Sequence, residues 1–138
     1  MDALINNLNL LPVIFIAVFF CILFIQSGLD KIIDFHGNLN YFKIHFENSI
    51  FKKWVKSLLI IIAILESCTG FLFFIALFLL ALYQNPIDFK VLVAIGLGFS
   101  ALTICCLFLG QRLAKDYPGA ANLTIYFLAV LLAFFFVL

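Results

Sequence analysis

SLLIIIAILESCTGFLFFIALFLLAL, Ser57 to Leu82, contains a single charged residue, Glu66. The run is longer than the roughly 20 apolar residues a helix needs to cross a bilayer. Glu66 lies ten residues beyond Lys56, which at about 1.5 Å per residue sets its carboxyl roughly 15 Å inside the membrane, near the midplane. An acid inserted at that depth costs on the order of 2.5 to 3.5 kcal/mol, so it is expected to face other helices, to have a partner and to serve function.

The rest of the chain repeats the pattern. Its 138 residues are 67% hydrophobic and 11% charged, with mean hydropathy +1.27, against about 45 to 50% apolar and 25% charged in soluble domains. This is the composition of an integral membrane protein. Spans are predicted at about 10–31, 57–82, 91–109 and 120–138, giving an all-α, four-helix membrane bundle that forms one domain over 1–138. Too few residues remain for a separate soluble domain. The lipid bilayer is the partner this composition demands. A net charge of +1 without a basic run gives no support for a nucleic-acid partner.

The first span reads as a retained helix and not as a cleaved signal, because Met1, Asp2 and Ala3 supply no basic n-region. Pro12 is expected in its first turn, where the missing N–H does least harm. Between the first two spans, about 34–56, Phe35, Leu39, Phe42, Phe46 and Ile50 recur at helical spacing while Lys43, His45, Glu47 and Lys52 take other faces. Such an amphipathic segment lies in the membrane interface or packs on the bundle as a connector, with Trp54 as an interface anchor. Asn85 and Pro86 mark a tight turn, and Pro118 and Gly119 restart the chain before the last span.

Lys31, Lys43, Lys52, Lys53, Lys56, Arg112 and Lys115 fall on one side of the predicted topology and Lys90 alone on the other. The positive-inside rule therefore predicts a cytoplasmic amphipathic segment and periplasmic termini.

Counting inward from the basic ends puts Cys21, Ser100 and Tyr126 in the layer of Glu66. Gly96, Ser100, Thr103 and Gly110 form one stripe of small residues on the third span, which is expected to pack inward. No Lys or Arg shares the layer of Glu66, and Lys31, at the end of the first span, needs extra reach to pair with it. The acid is accordingly expected to stand neutral and to donate to Ser100, to Tyr126 or to a ligand such as a quinone carbonyl. Glu66, Lys31, Ser100 and Tyr126 are the candidate ligand or proton site. The alternative is that Glu66 is inter-helix glue with no ligand.

No catalytic or metal-binding set is read. Cys21, Cys68, Cys105 and Cys106 lie in apolar runs without a CxxC, as small buried hydrophobes, and His36 and His45 lie outside the spans.

Two short patterns, GLDK at Gly28 to Lys31 and ILESCTG at Ile64 to Gly70, together with the four spans and the closing QRLAKDYPGAANLTIYF, resemble the DoxX family of small bacterial membrane proteins. The family shows GxxK at the end of its first helix and a Glu four residues before a Gly in its second, matched here by Gly28, Lys31, Glu66 and Gly70. An Arg often found midway along the family's first helix has no counterpart at Ile16 to Val18. The resemblance implies a bacterial inner-membrane protein associated with redox systems. It would be a non-catalytic or accessory subunit whose partners are respiratory, redox or other inner-membrane complex subunits and whose ligand is a quinone or similar lipophile. The alternative is a structural or assembly subunit without a ligand of its own.

Overall fold

The computed structural model describes residues 2–138, with side chains from Leu10 onward. Five α-helices account for nearly all of it: α1 (Asp2–Ile33), α2 (Phe35–His45), α3 (Val55–Tyr83), α4 (Pro86–Leu113) and α5 (Tyr117–Val137), with a 3-10 turn at Ile50–Lys53. All but α2 are long and apolar enough to cross a membrane, and the chain is a multi-pass membrane protein. In lipid no water satisfies a free backbone N–H or C=O, so each apolar run closes its own hydrogen bonds as a helix.

Side chains at the turns satisfy the first free N–H groups of the later helices. Asn85 accepts from the Ile87 N–H at 3.1 Å at the start of α4, and Asp116 accepts from the Gly119 N–H at 2.9 Å at the start of α5. Pro86 and Pro118 sit in the first turns of these helices, where no backbone donor is needed. Pro12 is placed differently from the expectation. The helix extends back to Asp2, so Pro12 lies inside α1 and removes one internal hydrogen bond without ending the helix. The amphipathic connector also divides in two, because Ser49 caps a separate 3-10 turn by accepting from the Phe51 N–H at 3.2 Å.

The central helix is α3, packed extensively against both α1 and α4, while α5 packs on α4. Away from the basic ends the core is apolar. Val13, Ala17, Phe20 and Phe24 of α1 meet Phe73 and Ala76 of α3, Phe89, Val93 and Leu97 of α4, and Val130 and Ala133 of α5. The Phe20 and Phe73 rings stack with centroids 5.6 Å apart.

Toward the basic ends α1 and α3 approach until their backbones nearly touch. A Cβ added at Gly70 would stand 2.6 Å from the Ile25 backbone nitrogen, and one added at Gly28 would stand 3.0 Å from the Ser67 backbone nitrogen. Close approach through small residues is how helices gain packing in lipid, where apolar burial no longer drives association. Gly70→Ala must therefore push α1 off α3. It is expected to destabilise the bundle by about 1 to 3 kcal/mol, measured as unfolding in bilayers or detergent, whereas Gly98→Ala, where the added carbon meets nothing within 4 Å, is expected to be neutral or slightly stabilising.

Candidate functional site

The crossing of α1 and α3 carries the buried charges of the bundle. The Lys31 Nζ lies 2.8 Å from the Glu66 Oε2. This is a charge contact and not a hydrogen bond, since Oε2 has no hydrogen-bond partner. The Ser27 hydroxyl donates to the other carboxylate oxygen, Oε1, at 2.9 Å. The Lys31 ammonium donates in turn to the Ser27 hydroxyl at 3.0 Å and to the Ser27 carbonyl at 3.3 Å. Lys31, Ser27 and Glu66 thus form a closed ring, with Glu66 2% and Lys31 9% exposed.

The sequence left a gap in depth between Lys31 and Glu66, and helix geometry closes it. Every helical side chain leans toward the N-terminus of its own helix. Lys31 is near the C-terminal end of α1, so it leans into the bundle. Glu66 is in an antiparallel helix, so it leans outward toward Lys31. The two tilts add, and Ser27, one turn before Lys31, lies beside the lysine stem.

This geometry corrects the expected partners of Glu66. Ser100 is buried, but its hydroxyl donates to the Gly96 carbonyl at 2.9 Å and makes no hydrogen bond with the acid. Tyr126 is 38% exposed on α5 and has no hydrogen bond to Glu66. The picture of a neutral acid donating to these two residues is replaced by a carboxylate facing an ammonium.

Gly96, Ser100 and Thr103 do face inward, whereas Gly110, at the end of the stripe, is only half-buried and borders a cavity. Thr69 and Thr103 approach to 3.5 Å, yet each donates to the carbonyl four residues back in its own helix, at 2.7 and 2.8 Å. Hydroxyls satisfied in this way inside a helix need no outside partner. The cysteines also differ from the expectation. Cys21 is buried, but Cys68, Cys105 and Cys106 are exposed within spanning helices.

A cavity of about 210 Å³ opens beside the ring. Lys31 is its one charged lining residue. Phe42, Phe46 and Phe51 come from the connector, Leu59 and Ile62 from α3, and Cys106 and Gln111 from α4. A second groove of about 330 Å³, between α4 and α5, is lined by residues such as Ile104, Phe108 and Phe127 and contains no charged group. Among the described residues no group of His, Cys, Asp or Glu could hold a metal ion.

The sequence reading missed the aromatic wall and the approach of His45 to Gln111, whose side chains are 2.7 Å apart. The Phe42 and Phe46 spacing marked an apolar face, but nothing in one sequence says that α4 ends opposite it.

Comparison with known protein families, with curated proteins and with solved structures finds no match. The site is therefore read from its own chemistry.

Removing one member of a buried ion pair strands the other, at a cost of about 3 to 5 kcal/mol. Lys31→Met and Glu66→Leu are each expected to destabilise the bundle on this scale, while the double variant Lys31→Met/Glu66→Leu should cost no more than either single change. A double-mutant cycle on unfolding free energy checks this coupling.

Proposed function

We propose that the chain is a non-catalytic or accessory membrane subunit that holds a small lipophilic redox partner, with a quinone as the leading candidate, in the cavity beside Lys31 and Glu66. The observation that supports this reading is the cavity itself. Its walls are aliphatic and aromatic, and its one charged group is the Lys31 ammonium. Ligand sites commonly combine apolar walls with a few placed polar groups.

The ring sets a condition on the ligand. The ammonium has three hydrogens; two go to the Ser27 carbonyl and hydroxyl, while its contact with Glu66 Oε2 is one of charge. A carbonyl oxygen entering the cavity would accept the third hydrogen without displacing either bond to Ser27. With Lys31 neutralised by Glu66, the site suits a neutral acceptor better than an anion. A quinone would supply redox chemistry, and the protein would supply an apolar sleeve and a fixed donor. The resemblance to DoxX proteins supports the redox association and a bacterial inner-membrane location, and the basic bias of the α2 side supports periplasmic termini.

A second reading has its own support. The ring is closed without a ligand, which suits a structural or assembly subunit in a larger membrane complex. Purification from native membranes in mild detergent, with mass spectrometry of retained lipophiles and proteins, separates the two. Ligand binding predicts a carbonyl-bearing lipophile that is retained by the wild-type chain and reduced about tenfold by Cys106→Trp, a loss of about 1.4 kcal/mol in binding. The assembly reading predicts co-purifying subunits, no such lipophile and no effect of Cys106→Trp on the complex.

A further inference from the structure

Of the three aromatic residues in the cavity wall, Phe42 lies on α2, Phe46 directly follows it and Phe51 lies in the 3-10 turn. α2 has 11 residues, too short to be stable alone. Its one buried residue, Leu39, packs on Val55 and Leu59, and the partly buried Phe35, Phe42 and Phe46 pack against them. Non-helical backbone flanks it, at Asp34 on one side and through Glu47 to Ser49 on the other.

Its tie to the opposite wall is polar. His45 Nε2 lies 2.7 Å from Gln111 Oε1, the one side-chain hydrogen bond between α2 and α4 among the described residues. Asp116 Oδ2 stands 3.8 Å from the same nitrogen. Phe46, the residue after His45, and Gln111 both line the cavity, so this contact sits where α2 meets α4 at the cavity edge.

We propose that α2 is a lid over the cavity, and that His45, held by Gln111 and facing Asp116, is its proton-sensitive latch. The functional meaning of the lid rests on the cavity being a ligand site, but the motion itself can be tested without a ligand.

Gln111 Oε1 can only accept, so His45 donates from Nε2 whether the ring is neutral or charged. In the neutral state the latch is this hydrogen bond alone. Protonation adds attraction to Asp116 and tightens it. The latch is therefore tighter with the ring charged than with it neutral, so acid favours the closed lid.

Among the described residues His45 forms no ion pair besides the one with Asp116. Tyr41, on α2, stacks on its ring at 5.6 Å. Arg112, on α4, turns onto the Tyr117 ring at 4.8 Å. Lys31, on α1, is paired with Glu66. Lys43, Glu47 and Lys115 are exposed and form no ion pair among the described residues.

The test is cysteine labelling of the full chain, free of ligand, in nanodiscs. Leu59→Cys, buried under the lid, is introduced into a variant with the four native cysteines replaced by alanine, and its reaction rate with a water-soluble maleimide is measured. Each latch variant is divided by the same chain with an intact latch at the same pH, which cancels the thiol's own pH dependence.

His45→Ala is expected to raise the rate about three- to tenfold at about pH 8, by loss of the hydrogen bond, and about two- to fivefold more at about pH 5.5, where the charge attraction is lost as well. Asp116→Asn keeps the side-chain oxygen that accepts from the Gly119 N–H. It should raise the rate about two- to fivefold at about pH 5.5 and leave it unchanged at about pH 8. Circular dichroism must show unchanged helix content, so that local unfolding of α2 does not imitate opening.

A His45→Ala ratio of one at both pH values overturns the lid. A ratio above one that does not vary with pH, or an Asp116→Asn ratio of one at the lower pH, overturns the proton-sensitive latch. Failure to find a bound lipophile would instead overturn the cavity's assigned function while leaving these rates unaffected.

Discussion

The closeness of α1 to α3 is the constraint from which the other features follow. With Gly28 against Ser67 and Gly70 against the Ile25 backbone, the two helices come near enough for Lys31 to reach Glu66 at 2.8 Å. A wider crossing would leave an ammonium and a carboxylate separately desolvated, which lipid does not tolerate. The glycines and the charges therefore act as one device: small residues set the distance, and opposite side-chain tilts on antiparallel helices bring the charged ends together. GxxK on α1 and ExxxG on α3 express that device in the sequence.

This crossing divides the bundle by depth. On the far side Phe20 and Phe73 stack within an apolar core. On the basic side the core gives way to the Lys31, Ser27 and Glu66 ring and then to a cavity roofed by the connector. The cavity places one fixed donor in apolar surroundings, and α2, short and weakly buried, covers it. On the proposed reading, a close crossing under a short cover would admit a lipophilic molecule without disturbing the helices that position the donor.

Much of this was legible in the residues. The apolar runs gave the four spans, because a bilayer leaves helix as the only way for a short run to satisfy its backbone. Glu66 could be marked as inward-facing from the cost of an acid near the midplane, and it is buried together with Ala63, Thr69 and Gly70 of the same helix. Its partner was harder to identify. Residue counting treats a side chain as a point at its Cα, and so placed Lys31 too shallow while bringing Ser100 and Tyr126 too near. The lean of helical side chains reverses that order. Pro12 misled for a related reason: proline near the start of an apolar run resembles a helix start, whereas the helix continues through it. The contact of His45 with Gln111 joins segments far apart in sequence and left no local signal.

The central claim is that Glu66 is held by Lys31. Solid-state NMR of the chain in lipid bilayers, with ¹⁵N at lysine Nζ and ¹³C at glutamate Cδ, measures it directly. The chain has two glutamates, Glu47 and Glu66, so Glu66→Gln assigns the signal. A dipolar coupling corresponding to direct contact, consistent with the 2.8 Å separation of Nζ and Oε2 and abolished by Glu66→Gln, is the expected result. A Glu66 carboxyl with no coupling to any lysine nitrogen would contradict the account.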